Sequence, residues 1–207
     1  MGSIEHDVRA RIAQAWGAWW KMTNIFQSKT VSLLFKKRLF DAACVSILLY
    51  GCETWVLNNE LKEELDIFAR KCYRMMLDIR QSEVHLTNDE LYQRVGAVPI
   101  SKTVQRRQMS FTGHCLRMKT DELANIYALY ESEVKAANRP GRLSQTYRQQ
   151  ISNIIYPDSK VEFGATEITR MATESGGEIW KDLHCRAKPK KPPDPDAKRS
   201  SRKKLVR

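Results

Sequence analysis

The amino-acid sequence predicts an all-α protein, a bundle of about seven to nine helices followed by a disordered basic C-terminal tail. Apolar residues recur every three or four positions in almost every segment, whereas strict alternation of apolar and polar residues is hard to find. The chain has 207 residues, of which 42% are hydrophobic, and this is enough apolar surface to build a buried core.

Two helices are predicted before Gly51. The first carries an apolar stripe that Trp16 and Trp20 widen, so we expect neighbours on more than one side. Its stripe consists of Ile4, Val8, Ile12, Ala15 and Trp19. The second helix has Ser28 or Thr30 as its N-cap and Gly51 as its stop. Its apolar positions are Val31, Leu34, Phe35, Leu39, Ala42 and Ile47.

The next two helices have clear start signals. Asn58 or Asn59 opens a long amphipathic helix with charged residues opposite its apolar stripe. That stripe consists of Leu61, Leu65, Phe68, Cys72, Met75 and Ile79. Thr87-Asn-Asp-Glu90 has the form of a capping box, in which hydroxyl and carboxylate each satisfy a backbone N–H, and Gly96 ends the short helix that follows.

The remaining helices are shorter or less regular. A helix is predicted from Ser101 to about Met118, and a sixth follows Thr120. The apolar side of the sixth helix is expected to carry Leu123, Ile126 or Tyr127, Tyr130 and Val134. Asn138–Arg142 breaks it, and two further short helices are predicted around 147–155 and 165–173.

The order of these elements predicts four segments. They are a helical segment over 1–57, a helical bundle over 58–137 that contains the basic helix 101–118, a small helical segment over 138–185, and a disordered basic tail over 186–207.

The positive charge is concentrated in the tail. From Arg186 to Arg207 there are ten basic and two acidic residues, so this segment holds +8 of the net +11. Two basic clusters indicate a nuclear-import signal or a non-specific nucleic-acid tether, and a solubilising tail is the alternative. Their residues are Lys188, Lys190, Lys191, Lys198, Arg199, Arg202, Lys203 and Lys204.

Several classes of protein are disfavoured. The longest apolar run, around Val45 to Tyr50, is far shorter than the about 20 residues that span a bilayer, so no membrane association is expected. The N-terminus lacks the features of a secretory signal, which predicts an intracellular protein, and the tail predicts a nuclear one. Five widely spaced cysteines, an odd number, indicate reduced thiols.

No catalytic residue, metal site or cofactor is predicted. The sequence has no Gly-rich phosphate loop, no His-Glu-x-x-His, no Cys-x-x-Cys and no adjacent pair of aspartates. His114-Cys115 and His184-Cys185 suggest zinc, but adjacent helical residues point about 100° apart and no second ligand follows at a zinc-site spacing. Cys115 is expected to be a buried structural thiol.

The helix over 101–118 is the best candidate for binding a partner. It contains no acidic residue between Ser101 and Lys119, and its local charge is +5. Lys102, Arg106, Ser110, Gly113 and Arg117 share one face, on which Gly113 would permit close approach of a phosphate backbone. Val104, Gln108, Phe111, Cys115 and Met118 share the other. A solvated helix face is the alternative, since Met109 and Leu116 fall on the basic side.

Two further groups of residues are weaker candidates for binding nucleic acid. Lys36, Lys37 and Arg38 form a secondary basic cluster, but long cationic side chains often merely flank a core helix. The tryptophans at 16, 19 and 20 could stack on bases, although at helical spacing a core position is the more common explanation.

Several strings of residues stand out beyond the helical pattern. They are Arg11-Ile-Ala-Gln-Ala15, Lys37-Arg-Leu-Phe40, Ile47-Leu-Leu-Tyr-Gly-Cys-Glu-Thr-Trp55, the Phe-x-x-x-Cys-x-Arg pattern of 68–74, Arg106-Arg107 with Gly113-His114 and Arg117-Met118, and Arg139-Pro-Gly-Arg142. Together they resemble the region after the polymerase palm in the endonuclease–reverse transcriptases of non-LTR retrotransposons. Tyr147 stands where this family usually has Trp, and Glu174–Gly177 replaces a helical charged stretch. The resemblance covers roughly residues 7–183.

The resemblance implies a thumb and the helices after it, which in such polymerases hold the template–primer duplex. The family is an RNA-directed DNA polymerase with an endonuclease, and its catalytic aspartates lie in a palm motif that this sequence lacks. We therefore expect sequence-independent binding of an RNA, RNA–DNA or DNA backbone, without catalysis by this chain. The expected binding residues are Lys102, Arg106, Arg107, His114, Arg117 and Lys119. The alternatives are a helical module that binds a protein, such as a palm-containing reverse transcriptase, and an inactive retroelement remnant.

Overall fold

The computed structural model describes residues 3–79, 85–130, 145–156 and 163–174, together with Glu178, Trp180 and Lys181. These residues form helices and connecting turns with no β-strand among them, which confirms the predicted all-α class. The predicted basic tail lies outside the described residues.

The helices follow the predicted order closely. They are α1 (Ile4–Lys21), α2 (Thr23–Gln27), α3 (Leu33–Phe40), α4 (Ser46–Leu48), α5 (Asn59–Met76), α6 (Asn88–Val95), α7 (Ile100–Leu116), α8 (Leu123–Tyr127), α9 (Tyr147–Ile155) and α10 (Ala165–Thr173). A π-helical turn over Asp41–Val45 joins α3 to α4, and a 3-10 turn over Cys52–Thr54 precedes α5. Gly51, at φ +73°, adopts the left-handed conformation that lets the chain turn there.

Capping side chains fix the starts of five of the ten described helices. Asn58 caps α5, and Thr87 and Glu90 form the complete capping box of α6, as predicted. The prediction for α3 was wrong: Ser32 is its N-cap, accepting from the backbone N–H of Phe35. The hydroxyls of Ser28 and Thr30, which were the predicted caps, lie 2.8 Å apart and bond to each other instead.

A first hydrophobic core joins α1 to α7 through buried aromatic rings. Trp19 stacks on Phe26 with ring centroids 4.3 Å apart, and Phe40 lies edge-on to Trp19 and parallel to Phe68. Because this core contains residues on both sides of position 57, the predicted segments 1–57 and 58–137 share one core and do not pack separately.

A second core lies under the C-terminal half of α7. It packs Met109 and Leu116 of α7 against Ile151 of α9, Ile168 of α10 and Trp180. Val104 of α7 belongs to the first core, so α7 is the helix that both cores share.

Two buried glutamines hold the cores together at the 3-10 turn. Gln108 Nε2 donates to the carbonyls of Cys52 and Trp55, at 3.1 and 2.7 Å. Gln150 Nε2 donates to Trp55 O and to Gln108 Oε1, and its own Oε1 accepts from the N–H of Leu57. These glutamines are buried, and their hydrogen bonds satisfy backbone groups of Cys52, Trp55 and Leu57. They therefore hold the chain around the 3-10 turn against α7 and α9.

The sixth predicted helix is shorter and packs differently from the prediction. α8 has five residues, and the residues expected on its buried side are exposed. These are Leu123, Ile126, Tyr127 and Tyr130, while Val134 lies outside the described residues. The reason is that α8 turns Asn125 toward α7, where its Nδ2 donates to the carbonyls of Leu116 and Met118 at the end of that helix.

Candidate nucleic-acid interface

One face of α7 stays in solvent while the helix passes from the first core to the second. Its exposed residues are Lys102, Arg106, Ser110, Phe111, His114 and Arg117, with Arg107 half-buried beside them. At 3.6 residues per turn, these side chains cover about half of the helix surface. We call these seven residues the α7 face.

The start of α7 is held by a side chain from another helix. Its N-cap is Pro99, which has no side-chain acceptor for the first N–H groups. Asp66, buried on α5, accepts from the backbone N–H of Ser101 at 2.9 Å and from its hydroxyl at 2.7 Å. This contact satisfies an otherwise unpaired donor and fixes the turn that carries Lys102.

Lys102 and Arg106 are the exposed cations at the N-terminal end of the α7 face. Within the described part of the chain, neither side chain forms an ion pair or a hydrogen bond. The two residues lie one helical turn apart, so their charged groups project into solvent side by side.

Lys62 on α5 extends this positive patch, and the sequence did not single it out. Lys62 lies one turn before Asp66 on α5, and Asp66 is hydrogen-bonded to Ser101, the neighbour of Lys102, so the two lysines lie near each other. Burial lowers the pKa of Lys62, and the positive charge of Lys102 lowers it further. The proximity arises because α5 packs against α7, and no local pattern around Lys62 could have signalled it. We call Lys62, Lys102 and Arg106 the cationic patch.

Arg107, another predicted binding residue, is partly engaged inside the protein. Its Nη1 donates to the carbonyl of Leu49 at 3.1 Å and lies 3.8 Å from Oε1 of Glu53. Its charge is thus partly compensated, and its side chain fixes α7 to the turn before α5. We expect Arg107 to contribute less to an attraction for phosphate than Lys102 or Arg106.

The predicted role of Gly113 was wrong. Gly113 is buried, and Trp180 lies directly on it: a Cβ at this position would collide with Nε1 and Cδ1 of the indole. The indole Nε1 donates to the carbonyl of Met109 at 2.8 Å. The missing side chain therefore makes room for a tryptophan of the second core, so Gly113 cannot offer its backbone to a phosphate.

The C-terminal end of the α7 face carries the last predicted cations. Arg117 is exposed but donates from Nη1 to the carbonyl of Ala172 in α10, at 3.4 Å. Lys119 follows the end of the helix and is exposed, without a partner in the described residues. His114 lies on the same face, in a shallow pocket formed by α7 and the 3-10 turn.

The secondary basic cluster does not form one surface. Lys36 is only 5% exposed, and its Nζ donates to the carbonyl of Met76 at the end of α5, where a cation complements the helix dipole. Lys37 forms an ion pair with Asp41 at 2.6 Å. Arg38 alone is exposed. The burial of Lys36 matches the alternative stated for this cluster, that long cationic side chains flank a core helix.

The tryptophan group divides between core and surface. Trp19 is buried, Trp16 is half-buried against Phe68, and Trp20 is 60% exposed and stacked on Trp16 with centroids 6.0 Å apart. Trp19 is thus part of the core, and only Trp20 presents much of its ring to solvent.

Four cysteines are buried. They are Cys44, Cys52, Cys72 and Cys115. Burial raises the pKa of Cys44 and of Cys52 to about 11. Cys115 is buried in α7 while the neighbouring His114 is exposed, so the two side chains leave the helix in different directions. In the described ranges, no three His, Cys, Asp or Glu side chains converge in a way that could hold a metal ion.

Comparisons with known proteins add no family to this description. In the part of the chain that the structure describes, no helix is both long and apolar enough to cross a membrane. No protein-family model, curated protein sequence or solved structure matches the chain.

Proposed function

We propose that this chain binds RNA or DNA through the phosphate backbone, independently of sequence and without catalysis of its own. The observation that carries the proposal is the cationic patch. Lys102 and Arg106 are exposed one turn apart and have no counter-ion in the described residues, and the Asp66–Ser101 contact brings Lys62 of α5 close to Lys102. Like charges held together cost free energy in the free protein, and a polyanion relieves that cost.

The resemblance to the thumb and post-thumb region of non-LTR retrotransposon reverse transcriptases supports the same proposal. Its Arg-Arg and Gly-His-x-x-Arg-Met motifs fall on α7, the helix whose outer face is cationic. A thumb-like grip on a template–primer duplex needs contacts to phosphates and no reading of bases, which suits lysine and arginine on a rigid helix.

The direct experiment compares the full chain with a charge-reversed variant. Lys102→Glu combined with Arg106→Glu is expected to weaken binding to a labelled RNA–DNA duplex at least about tenfold at 0.1 M salt, since each lost phosphate contact removes a counterion-release contribution. The matched control is Lys71→Glu with Arg94→Glu, which changes the net charge equally at exposed positions on α5 and α6. Equal weakening by both variants would show that net charge alone, and no particular face, drives binding.

The same preparation tests the absence of catalysis. With magnesium and deoxynucleotides added, the primer of the bound duplex is expected to keep its length. Primer extension by the pure chain would contradict this part of the proposal.

Exposed apolar side chains favour a second candidate, a helical module that binds another protein. Trp20, Leu34, Phe35 and Tyr50 are each more than half exposed, and Leu34 and Phe35 are neighbours on α3. Exposed apolar side chains that lie next to each other indicate a protein contact. A palm-containing reverse transcriptase is the proposed partner. Association that is insensitive to salt and is lost in Leu34→Ser with Phe35→Ser would favour this candidate.

We further propose a nuclear location, directed by the basic clusters between Lys188 and Lys204, which lie outside the described residues. Imaging a fluorescent fusion of the full chain, beside one in which these lysines and arginines are replaced by glutamine, tests it. Equal nuclear accumulation of both fusions would contradict the proposal.

A further inference from the structure

The α7 face contains a pocket that the phosphate contacts do not use. It lies between the 3-10 turn and the second half of α7, and its volume is about 470 Å³. It is shallow and open to solvent, so it can receive the flat face of a ring without enclosing a ligand. Its walls are Glu53, Thr54, Arg107, Ser110, Phe111 and His114.

Phe111 is the apolar surface of this pocket. Its ring is 42% exposed, on a helix face whose other exposed residues are polar or cationic. The sequence predicted Phe111 on the helix face opposite the basic one, and the structure leaves it partly in solvent beside the 3-10 turn. A flat aromatic ring left accessible beside Arg107 and His114 is a platform on which a nucleobase can stack.

The walls of the pocket are held rigidly from behind. The hydroxyl of Tyr147 donates to the carbonyl of Glu53 at 2.8 Å, and it lies 2.9 Å from the hydroxyl of Thr112 on α7. Since the phenol has one proton and gives it to Glu53 O, Thr112 is the donor in the second bond. Arg107 ties the same region to Leu49 O. The pocket therefore needs little rearrangement to receive a ligand.

The polar groups around Phe111 fit a base better than a second phosphate. The Glu53 carboxylate lines the pocket and would repel a phosphate placed there. Bases instead carry N–H donors, which a carboxylate accepts, and acceptor atoms, which Arg107 or Ser110 can serve. A neutral, flat ligand that carries both hydrogen-bond donors and acceptors on its edge can pair with these groups.

The pocket and the cationic patch lie at opposite edges of the α7 face. Nine residues separate Lys102 from Phe111, which corresponds to about 13 Å along the helix axis and about half a turn around it. An extended single strand that crosses this exposed face diagonally can contact Lys102 and Arg106 through phosphates and reach Phe111 with a base.

We propose that this pocket takes one unstacked base of a single-stranded segment, stacked on Phe111, while the adjoining backbone lies on the cationic patch. This inference rests on the proposed nucleic-acid function and names the substrate more closely: a strand with a single-stranded region, of RNA or DNA, is preferred to a blunt duplex.

The test compares two probes, a blunt duplex and the same duplex with a short single-stranded overhang, on the full chain. Phe111→Ala is expected to weaken binding of the overhang probe by about 5- to 150-fold, the range for losing one stacked base. Binding of the blunt duplex and its salt dependence should not change. Phe111→Trp should keep the preference for the overhang, because the larger ring also stacks.

Two controls separate the pocket from general damage. Phe35→Ala removes another exposed phenylalanine, from α3, which is 54% exposed in the native chain, and should leave the binding of both probes unchanged. An overhang of abasic nucleotides should bind the native chain as weakly as the normal overhang binds Phe111→Ala, with no further loss when the two are combined.

The outcomes distinguish the two proposals. If the native chain binds the duplex with the expected dependence on Lys102 and Arg106, but Phe111→Ala and the abasic overhang change nothing, the base pocket is wrong and the proposed function stands. If the native chain binds neither probe, the proposed function fails and the pocket loses its ligand with it.

Discussion

At the scale of single residues, burial decides what a side chain does, and two lysines show it. Lys36 and Lys102 both belong to basic runs that the sequence marks as possible nucleic-acid contacts. Lys36 lies 5% exposed and donates to a helix-terminal carbonyl, whereas Lys102 projects into solvent. Removing the first should therefore affect stability, and removing the second should affect binding.

Replacing glycine by alanine should change the free energy of unfolding in opposite directions at two positions. Gly113→Ala should lower the free energy of unfolding by about 1–3 kcal/mol, because the new methyl group collides with Trp180. Gly17→Ala, at an exposed position inside α1 with nothing within 4 Å, should raise it by up to about 1 kcal/mol. Urea unfolding followed by tryptophan fluorescence measures both. A destabilised Gly17→Ala, or an unchanged Gly113→Ala, would contradict the packing described for these helices.

The buried thiols predict a dependence of stability on pH. The pKa of Cys44 and of Cys52 is about 11 in the folded chain, against an ordinary value of 9.0. The folded state thus holds these protons more tightly, so their contribution is fully present below pH 9 and is lost as the pH rises toward 11.

The measurement is urea unfolding at pH 7.5 and at pH 10, for the native chain and for Cys44→Ala with Cys52→Ala. We expect the native chain to lose more stability between the two pH values than the variant does. An equal loss in both would show that other groups control the alkaline transition.

At the scale of elements, the start of α7 is the feature on which the interface depends. The helix has no side-chain cap of its own, and Asp66 of α5 supplies the acceptor for Ser101. The same contact places Lys102 of α7 beside Lys62 of α5. A structural carboxylate thus organises a cationic site without lying on its surface.

Asp66→Ala should lower the free energy of unfolding by about 1–3 kcal/mol, because it leaves the N–H of Ser101 without its acceptor in a partly buried site. Asp66→Asn keeps an acceptor oxygen and should lose less. Asp89→Ala, at an exposed position in the first turn of α6, is the control and should cost at most about 1 kcal/mol. Thermal unfolding by circular dichroism separates these values. Equal losses for Asp66→Ala and Asp89→Ala would show that Asp66 does not hold α7.

Elements with local signals could be predicted, and elements fixed by distant contacts could not. The Asn58 cap, the Thr87–Glu90 capping box and the Gly96 stop all act within one turn of the helix they define, so the sequence showed them. The contact between Trp180 and Gly113 joins residues far apart in the chain, so the spacing of apolar residues in the sequence does not predict it. The sequence could not predict the role of Lys62 for the same reason, since its position beside Lys102 depends on how α5 packs on α7.

At the scale of the whole molecule, α7 connects two cores and carries the proposed interface on its remaining face. Both cores hold this helix: Val104 packs in the first, and Met109 and Leu116 pack in the second. The buried pair Gln108 and Gln150 fixes the 3-10 turn against it. The cationic patch and the Phe111 pocket are therefore presented on a rigid support, which reduces the entropy lost when a strand binds.

The salt dependence of binding tests this account most directly. For the full chain and an RNA–DNA duplex, the logarithm of the binding constant should fall linearly with the logarithm of salt concentration, and the slope should decrease in magnitude by about 2 in Lys102→Glu with Arg106→Glu. The basic tail is present in both proteins, so the difference reports on the cationic patch alone. A slope that is the same in the native chain and in this variant would contradict the claim that α7 grips the backbone.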